Sequence, residues 1–243
     1  MKPSTSGAGR PFLGIGVLVL SSWALSGLDA SGKWVMGAGV SLLMLCWVRY
    51  VVHLFLVLGL VLPARGAKVL RTKRPAAQIT RGGVMLLATL SFFTTLRYLP
   101  QAEATAINFL APLIMLAVAP WVLKEPARLS RWLAAGVGFL GVLIIIRPDA
   151  GLHPLGTVFG LLTACLFATQ FIATRRLAAE DPFTTLVWSG AVGSVLLTIA
   201  LPFVWPTIRP MLAALDAWQW LILLSTGFWG ALGHLLQIQA YRY

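Results

Sequence analysis

The chain has 243 residues, 58% of them hydrophobic and only 11% charged, with a formal net charge of +12. A water-soluble domain carries charge on about a quarter of its residues, so that class is excluded. The surplus of cations suggests nucleic acid, but they fall in short clusters without interleaved aromatics or a folded platform, which excludes that partner.

Seven stretches are uncharged, 11–28, 82–96, 104–123, 132–146, 150–174, 182–208 and 217–241, and an eighth, 34–64, is broken only by Arg49. A bilayer core about 30 Å thick needs about 20 apolar residues per helix, and about fifteen serve where flanking Arg or Lys snorkels. Eight membrane-spanning helices are therefore predicted, near 11–30, 38–62, 80–99, 102–123, 131–147, 155–175, 183–204 and 217–240.

The first span carries Trp23 and follows Lys2 and Arg10, so it imitates a secretory signal. More spans follow at once, and the internal repeat described below needs this helix, so it is read as a span. The outer turn after it spells a phosphate-loop pattern from Gly27 to Lys33, yet Trp34 stands where a hydroxyl would hold magnesium.

Arg49 lies near the middle of the second span, where insertion scales charge about 2.5–3.5 kcal/mol. It is expected to face a central cavity and bind an anionic group, or to pair with an acid that moves. Contact with backbone carbonyls is its plain alternative. His53 lies one turn along on the same face and is a candidate for proton coupling. Cys46 here and Cys165 in the sixth span are read as small buried apolar residues, with neither a disulfide nor a metal implied. The loop at 63–79 holds the densest cationic cluster, Arg65 to Arg74, a topology signal that also touches anionic lipid.

Glu103 opens the fourth span and is a second coupling candidate, although an acid also favours the positive end of its own helix. Asn108 lies deeper, beside Pro112, as a solute-binding or kink-satisfying amide. Pro112 and Pro120 predict a kinked helix, and Glu125-Pro126 marks its end. In the fifth span Gly136, Gly138 and Gly141 match a dinucleotide fingerprint with no strand before it, so they are read as packing residues. Gln170 in the sixth span and His234 with Gln237 in the eighth are further cavity candidates. Their plain alternative is interhelical hydrogen bonding, worth about 0.6 kcal/mol on average. Pro63, Pro100, Pro126, Pro148, Pro154, Pro182 and Pro206 are expected at or beyond helix ends, with 63–79 and 205–216 as the long loops. Trp121, Trp132, Trp205, Trp218 and Trp220 mark interface depths.

With a cytoplasmic amino terminus, fourteen of the 19 Lys and Arg fall on the cytoplasmic side, Arg81 among them, and four on the other. That asymmetry sets orientation, with both chain ends cytoplasmic. A weak repeat relates Gly82 to Gly227, Arg97 to Arg242 and Tyr98 to Tyr243, and Trp23-Ala24 to Phe167-Ala168. The first copy is 11–148 and the second 154–243, and an odd number of spans per copy inverts the second. A complete second copy takes about 293 residues and ten helices by this offset. The expectation is thus a truncated bundle with eight of ten helices present.

The run Leu96-Arg-Tyr-Leu-Pro-Gln-Ala-Glu-Ala-Thr-Ala-Ile-Asn-Phe-Leu-Ala-Pro112 resembles the fourth-helix signature of EamA-type carriers in the drug/metabolite transporter superfamily. Leu123-Lys-Glu-Pro, Arg131-Trp132, Gly141-Val-Leu-Ile-Ile-Ile-Arg-Pro148 and the stretch from Gly230 to Tyr243 are similar to the same group. The resemblance implies an all-α polytopic bundle of inverted five-helix repeats in the plasma membrane, the inner membrane in a diderm bacterium. It implies transport of metabolites, amino acids or drugs, and some similar subgroups take up S-adenosylmethionine. Arg49 falls where members often carry an Arg in helix two, and Glu125 matches the family Glu ending helix four.

The expected activity is secondary transport of a small solute by alternating access, without cofactor or metal. Arg49, Asn108, Gln170, His234, Gln237 and Trp23 would bind solute, and Glu103 or His53 would couple it to protons. A homodimer is allowed. An intramembrane enzyme needs clustered His, Asp or Ser at one face, and the acids here are scattered. The competing reading is a membrane fragment without transport activity of its own.

Overall fold

The computed structural model describes residues 11–122, 129–146, 151–177 and 179–240. Glu125, Pro126, Pro148, Arg242 and Tyr243, to which the sequence assigned boundary or repeat roles, lie outside them, as do Lys2, Arg10, Lys124, Arg128 and Arg147. Among the described residues there are nine α-helices and no strand: α1 (Pro11–Gly37), α2 (Leu42–Arg65), α3 (Pro75–Tyr98), α4 (Gln101–Asn108), α5 (Leu110–Val122), α6 (Leu129–Ile146), α7 (Pro154–Arg176), α8 (Pro182–Ala214) and α9 (Ala217–Ala240). With α4 and α5 taken as one, seven helical stretches are long and apolar enough to cross a bilayer. The expected fifth span falls on α6, of 18 residues, which is not among these seven. This is an all-α, multi-pass membrane protein.

Local chemistry sets the helix ends. Pro75, Pro154 and Pro182 occupy first turns, where an absent N–H removes no intrahelical bond. Ser41 Oγ accepts from the Met44 N–H at 3.3 Å and Asp181 Oδ1 from the Phe183 N–H at 2.7 Å, so both cap their helices. Gly66 ends α2 at φ 71°, with its N–H returned to the Leu62 carbonyl at 2.8 Å.

The kink at the fourth span is real. Pro112 has no N–H to offer the Asn108 carbonyl, and its ring crowds that oxygen. The chain breaks at Phe109 (φ −64°, ψ −6°), between α4 and α5. Other prolines fall differently from expectation. Pro63 lies inside α2 and Pro206 inside α8, which also holds Pro202 and Pro210. Neighbouring helices satisfy carbonyls freed in this way, so the expected loop at 205–216 shrinks to Leu215 and Asp216. The phosphate-loop mimic is also not in a turn: Gly27 to Lys33 lies within α1, and Lys33 Nζ donates to the Leu96 and Leu99 carbonyls at the end of α3. Cys46 is buried as expected, whereas Cys165 is exposed on α7.

The helices pack in matched pairs. α1 lies along α9 and α3 along α7, while α2 crosses α8 and rests on α9, and α3 rests on α8. The two glycines paired by the sequence repeat sit at equivalent crossings. A Cβ on Gly82 would stand 2.8 Å from Val192 Cβ, and one on Gly227 would stand 2.4 Å from Val52 Cβ. Such close approach is the means by which helices associate in lipid. The main apolar core joins Leu28, Leu45, Tyr50, Phe93, Leu96 and Ile107. A second cluster around Val57, Val61, Leu186 and Ile238 lies nearer the end that carries the 63–74 connection.

Candidate functional site: a mid-depth cavity around Arg49

Six helices enclose a cavity of about 120 Å³, to which α1 brings Asp29, α2 Arg49, α3 Thr89, α4 Asn108, α7 Phe167 and α9 His234. Arg49 is buried, and its guanidinium is met by polar and aromatic groups. One terminal nitrogen donates to Thr89 Oγ1 at 2.7 Å and the other to His234 Nε2 at 3.1 Å. Its carbon stands 5.1 Å from the Tyr50 ring centroid and 6.0 Å from that of Phe93.

Donor arithmetic fixes the rest of this network. Thr89 Oγ1 gives its single hydrogen to the Met85 carbonyl at 2.8 Å, so it accepts from both Arg49 and the Tyr50 hydroxyl, at 3.1 Å. A guanidinium only donates, so His234 Nε2 accepts and the proton of the neutral ring sits on Nδ1. That Nδ1 is buried without a hydrogen-bond partner, as is Asn108 Oδ1. Buried polar atoms left in this state are costly, and both residues line the cavity.

Asp29 completes the electrostatics. It is half-buried and lines the same cavity as Arg49, but the two form no ion pair within 4.0 Å. A guanidinium and a carboxyl group therefore face one cavity without a direct ion pair. Aromatic rings supply the remaining wall: Phe92 meets Phe167 edge-on at 6.4 Å, and Phe167 stacks on Phe171 at 6.2 Å.

Between this cavity and the end carrying the 63–74 connection lies a second polar layer. Arg81, counted from sequence among the loop cations, is fully buried inside α3. Its Nε donates to Thr174 Oγ1 of α7 at 2.8 Å, and it also donates to Ser189 Oγ of α8. Gln78, one turn earlier, donates to Thr185 Oγ1 at 3.1 Å. The layer ties α3 to both α7 and α8.

Of the residues named from sequence, Arg49, Asn108, His234 and Gln237 meet at the cavity. His53 is buried beside it, with Nε2 3.4 Å from the Leu186 carbonyl and its ring 6.4 Å from that of His234. Gln170 is buried one turn before Thr174, off the cavity lining. Glu103 is half-buried in the first turn of α4 and is also off the lining. Trp23 is corrected: it is 72% exposed, because it lies on the face of α1 turned away from α9. Sequence reasoning missed Asp29, Thr89, Thr105 and the four phenylalanines. Asp29 had a signal, being the one acid in the first hundred residues.

The profile of the EamA-like transporter family matches residues 12–147, more than half of the chain. The chain belongs to the EamA-like transporter family. Among curated relatives of this EamA-like chain, an S-adenosylmethionine uptake transporter of Rickettsia bellii is 26% identical over 187 residues, covering 77% of this chain and 64% of that protein. A riboflavin transporter of Brucella anthropi is 25% identical over 228 residues, covering 92% and 79%. The chain thus spans less than two thirds of the length of the Rickettsia bellii protein. A crystal structure with 18% identity shares the fold at a TM-score of 0.67, covering 93% of this chain and 80% of that one.

Proposed function

We propose that the chain acts as a secondary carrier, not an enzyme, moving a small metabolite across the plasma membrane by alternating access. The observation that carries this reading is the unpaired opposition of Arg49 and Asp29 across one mid-depth cavity. Arg49 receives an anionic group, Asp29 a cationic one, and Phe92, Phe93, Phe167 and Phe171 take a planar ring. Unsatisfied His234 Nδ1 and Asn108 Oδ1 provide one donor and one acceptor for the solute.

A volume of about 120 Å³ holds about four waters at roughly 30 Å³ each. Drug-sized ligands need about 300 Å³ or more, so the helices part to load solute, and this conformation is the occluded one. The Arg81 layer is its barrier toward the cationic end. Two inverted repeats, 11–148 and 154–243, rock about the site. The matched α1–α9 and α3–α7 packing and the paired Gly82 and Gly227 crossings support that division. The cations at 65–74 and 175–176 support a cytoplasmic position for their end.

The zwitterion in the name of the Rickettsia bellii relative, S-adenosylmethionine, is the first solute to test, with riboflavin second. In liposomes containing the purified protein, S-adenosylmethionine counterflow is expected to vanish in Arg49→Ala. In Asp29→Asn it should fall about tenfold or more, as expected when a charged hydrogen-bond partner is lost. Robust flux that neither substitution alters would refute the assigned site.

A further inference from the structure

We propose that the groove between α2, α8 and α9 and the cationic recess above it form one binding site for a single anionic phospholipid. The phosphate sits in the recess and one acyl chain in the groove. This site shares no lining residue with the Arg49 cavity and does not rest on the transport reading.

The two parts meet at one residue. The recess, about 520 Å³, is lined by Arg65, Lys68, Arg71 and Lys73 with Glu180 and Asp181. The groove, about 330 Å³, is lined by Leu56, Leu60, Leu186, Phe228 and Leu232, and again by Arg65. From Leu56 to Arg65 the groove follows α2 for about 14 Å at 1.5 Å per residue, running from lipid depth to the interface. Leu60 is 74% exposed and Phe228 49%, so the groove opens sideways to the hydrocarbon. An apolar channel entered from the bilayer and topped by cations is the shape of a phospholipid.

The acids of the recess are already committed. Glu180 accepts from Thr72 Oγ1 at 2.9 Å and from the Lys73 N–H at 3.3 Å. Asp181 caps α8 and holds Arg65 at 3.2 Å, and the same guanidinium lies 4.2 Å over the Phe183 ring. Among the described residues no carboxylate pairs with Lys68, Arg71 or Lys73. The connection is also preformed: Val69 is buried, Trp188 Nε1 donates to the Leu70 carbonyl at 3.1 Å, and Arg74 donates to the Arg176 carbonyl at 3.1 Å. A signal that only sets orientation needs cations near the membrane, not a fixed recess over a groove. Exposed cations on a fixed backbone, left without acids, complement a phosphate.

The test uses purified protein in mixed micelles of equal phosphatidylglycerol and phosphatidylcholine, with retained lipid counted by native mass spectrometry. Phosphatidylglycerol is expected to be retained in about tenfold preference, with one molecule per protein. Each cation near an anionic surface is worth about fivefold, so the combined Lys68→Gln, Arg71→Gln and Lys73→Gln variant loses the preference. Arg65, Arg74, Arg175 and Arg176 remain in that variant to hold orientation. Filling the groove with Leu60→Trp or Ala231→Phe also releases the lipid, and glycerol phosphate, a headgroup without tails, fails to compete. Equal retention of both lipids overturns the proposal, as does preference surviving in the triple variant. Preference surviving in folded groove-filled variants, or displacement by glycerol phosphate, reduces the site to a phosphate-binding surface and overturns it equally.

Discussion

Gly193→Ala is expected to destabilise the protein and to weaken the proposed solute site through a relay of Tyr50 and Thr89. A methyl group at Gly193 would stand 2.1 Å from Tyr50 Cδ1, 2.3 Å from Cε1 and 2.7 Å from Cγ. Ordinary contact begins near 3.4 Å, so the ring must retreat by about 1.3 Å. It has little room: Tyr50 is 2% exposed, and its hydroxyl is held by Thr89 at 3.1 Å. Overpacking of this kind costs about 1–3 kcal/mol, and loss of the hydroxyl bond adds about 1 kcal/mol. A total of about 2–4 kcal/mol lowers the melting temperature by roughly 5–15 °C in a chain of this length. Because Thr89 also holds Arg49, solute affinity falls as well. Thermal unfolding in detergent checks the first effect and equilibrium solute binding the second. Gly83→Ala is the control, since nothing lies within 4 Å of a Cβ there, and Ala favours a helix by about 1 kcal/mol. A Gly193→Ala protein melting as high as Gly83→Ala would refute the relay.

Thr89→Val keeps the shape but leaves the Arg49 and Tyr50 donors without an acceptor. At about 1.5–3 kcal/mol for a bond to a charged group, it should weaken binding of an anionic solute by about one to two decades. Pro112→Ala restores the N–H that the Asn108 carbonyl lacks, so it should straighten the break at Phe109, preserve or raise thermal stability and reduce flux by withdrawing Asn108. Asp181→Asn keeps the cap of α8 and loses only an exposed ion pair, with side chains 50% and 42% exposed, so its melting point should shift by less than about 1 kcal/mol implies. Asp181→Ala also removes the cap, and should cost about 1 kcal/mol more in the same melt.

Seven of the eight predicted spans and the break at Pro112 were legible because lipid imposes them: uncharged runs and prolines act locally. Arg49, Asn108, His234 and Gln237 were legible for the same reason, as polar groups that hydrocarbon penalises. Arg81 was not, because an uncharged run beginning at Gly82 makes a buried arginine look like the edge of a loop. Asp29 was lost in the same way at the end of the first run, and α1 in fact continues to Gly37. Which phenylalanines face the cavity depends on helix rotation, and these helices are apolar on nearly every face. Trp23 shows the converse error, since an aromatic residue is equally at home against lipid.

Helix α8 has 33 residues, about 50 Å at 1.5 Å per residue, against a hydrocarbon core of about 30 Å. Its last ten residues, with Trp205 at their start and Arg209 among them, therefore reach past the acyl chains. They do not hang loose: Ile208 is buried, and Met211 Sδ lies 3.1 Å from the Ser41 N–H. For a 26.2 kDa protein, that helix end, with its two-residue turn into α9, is a splice point for a helical fusion. A fiducial joined there in unbroken register would give single-particle imaging a mass large enough to align.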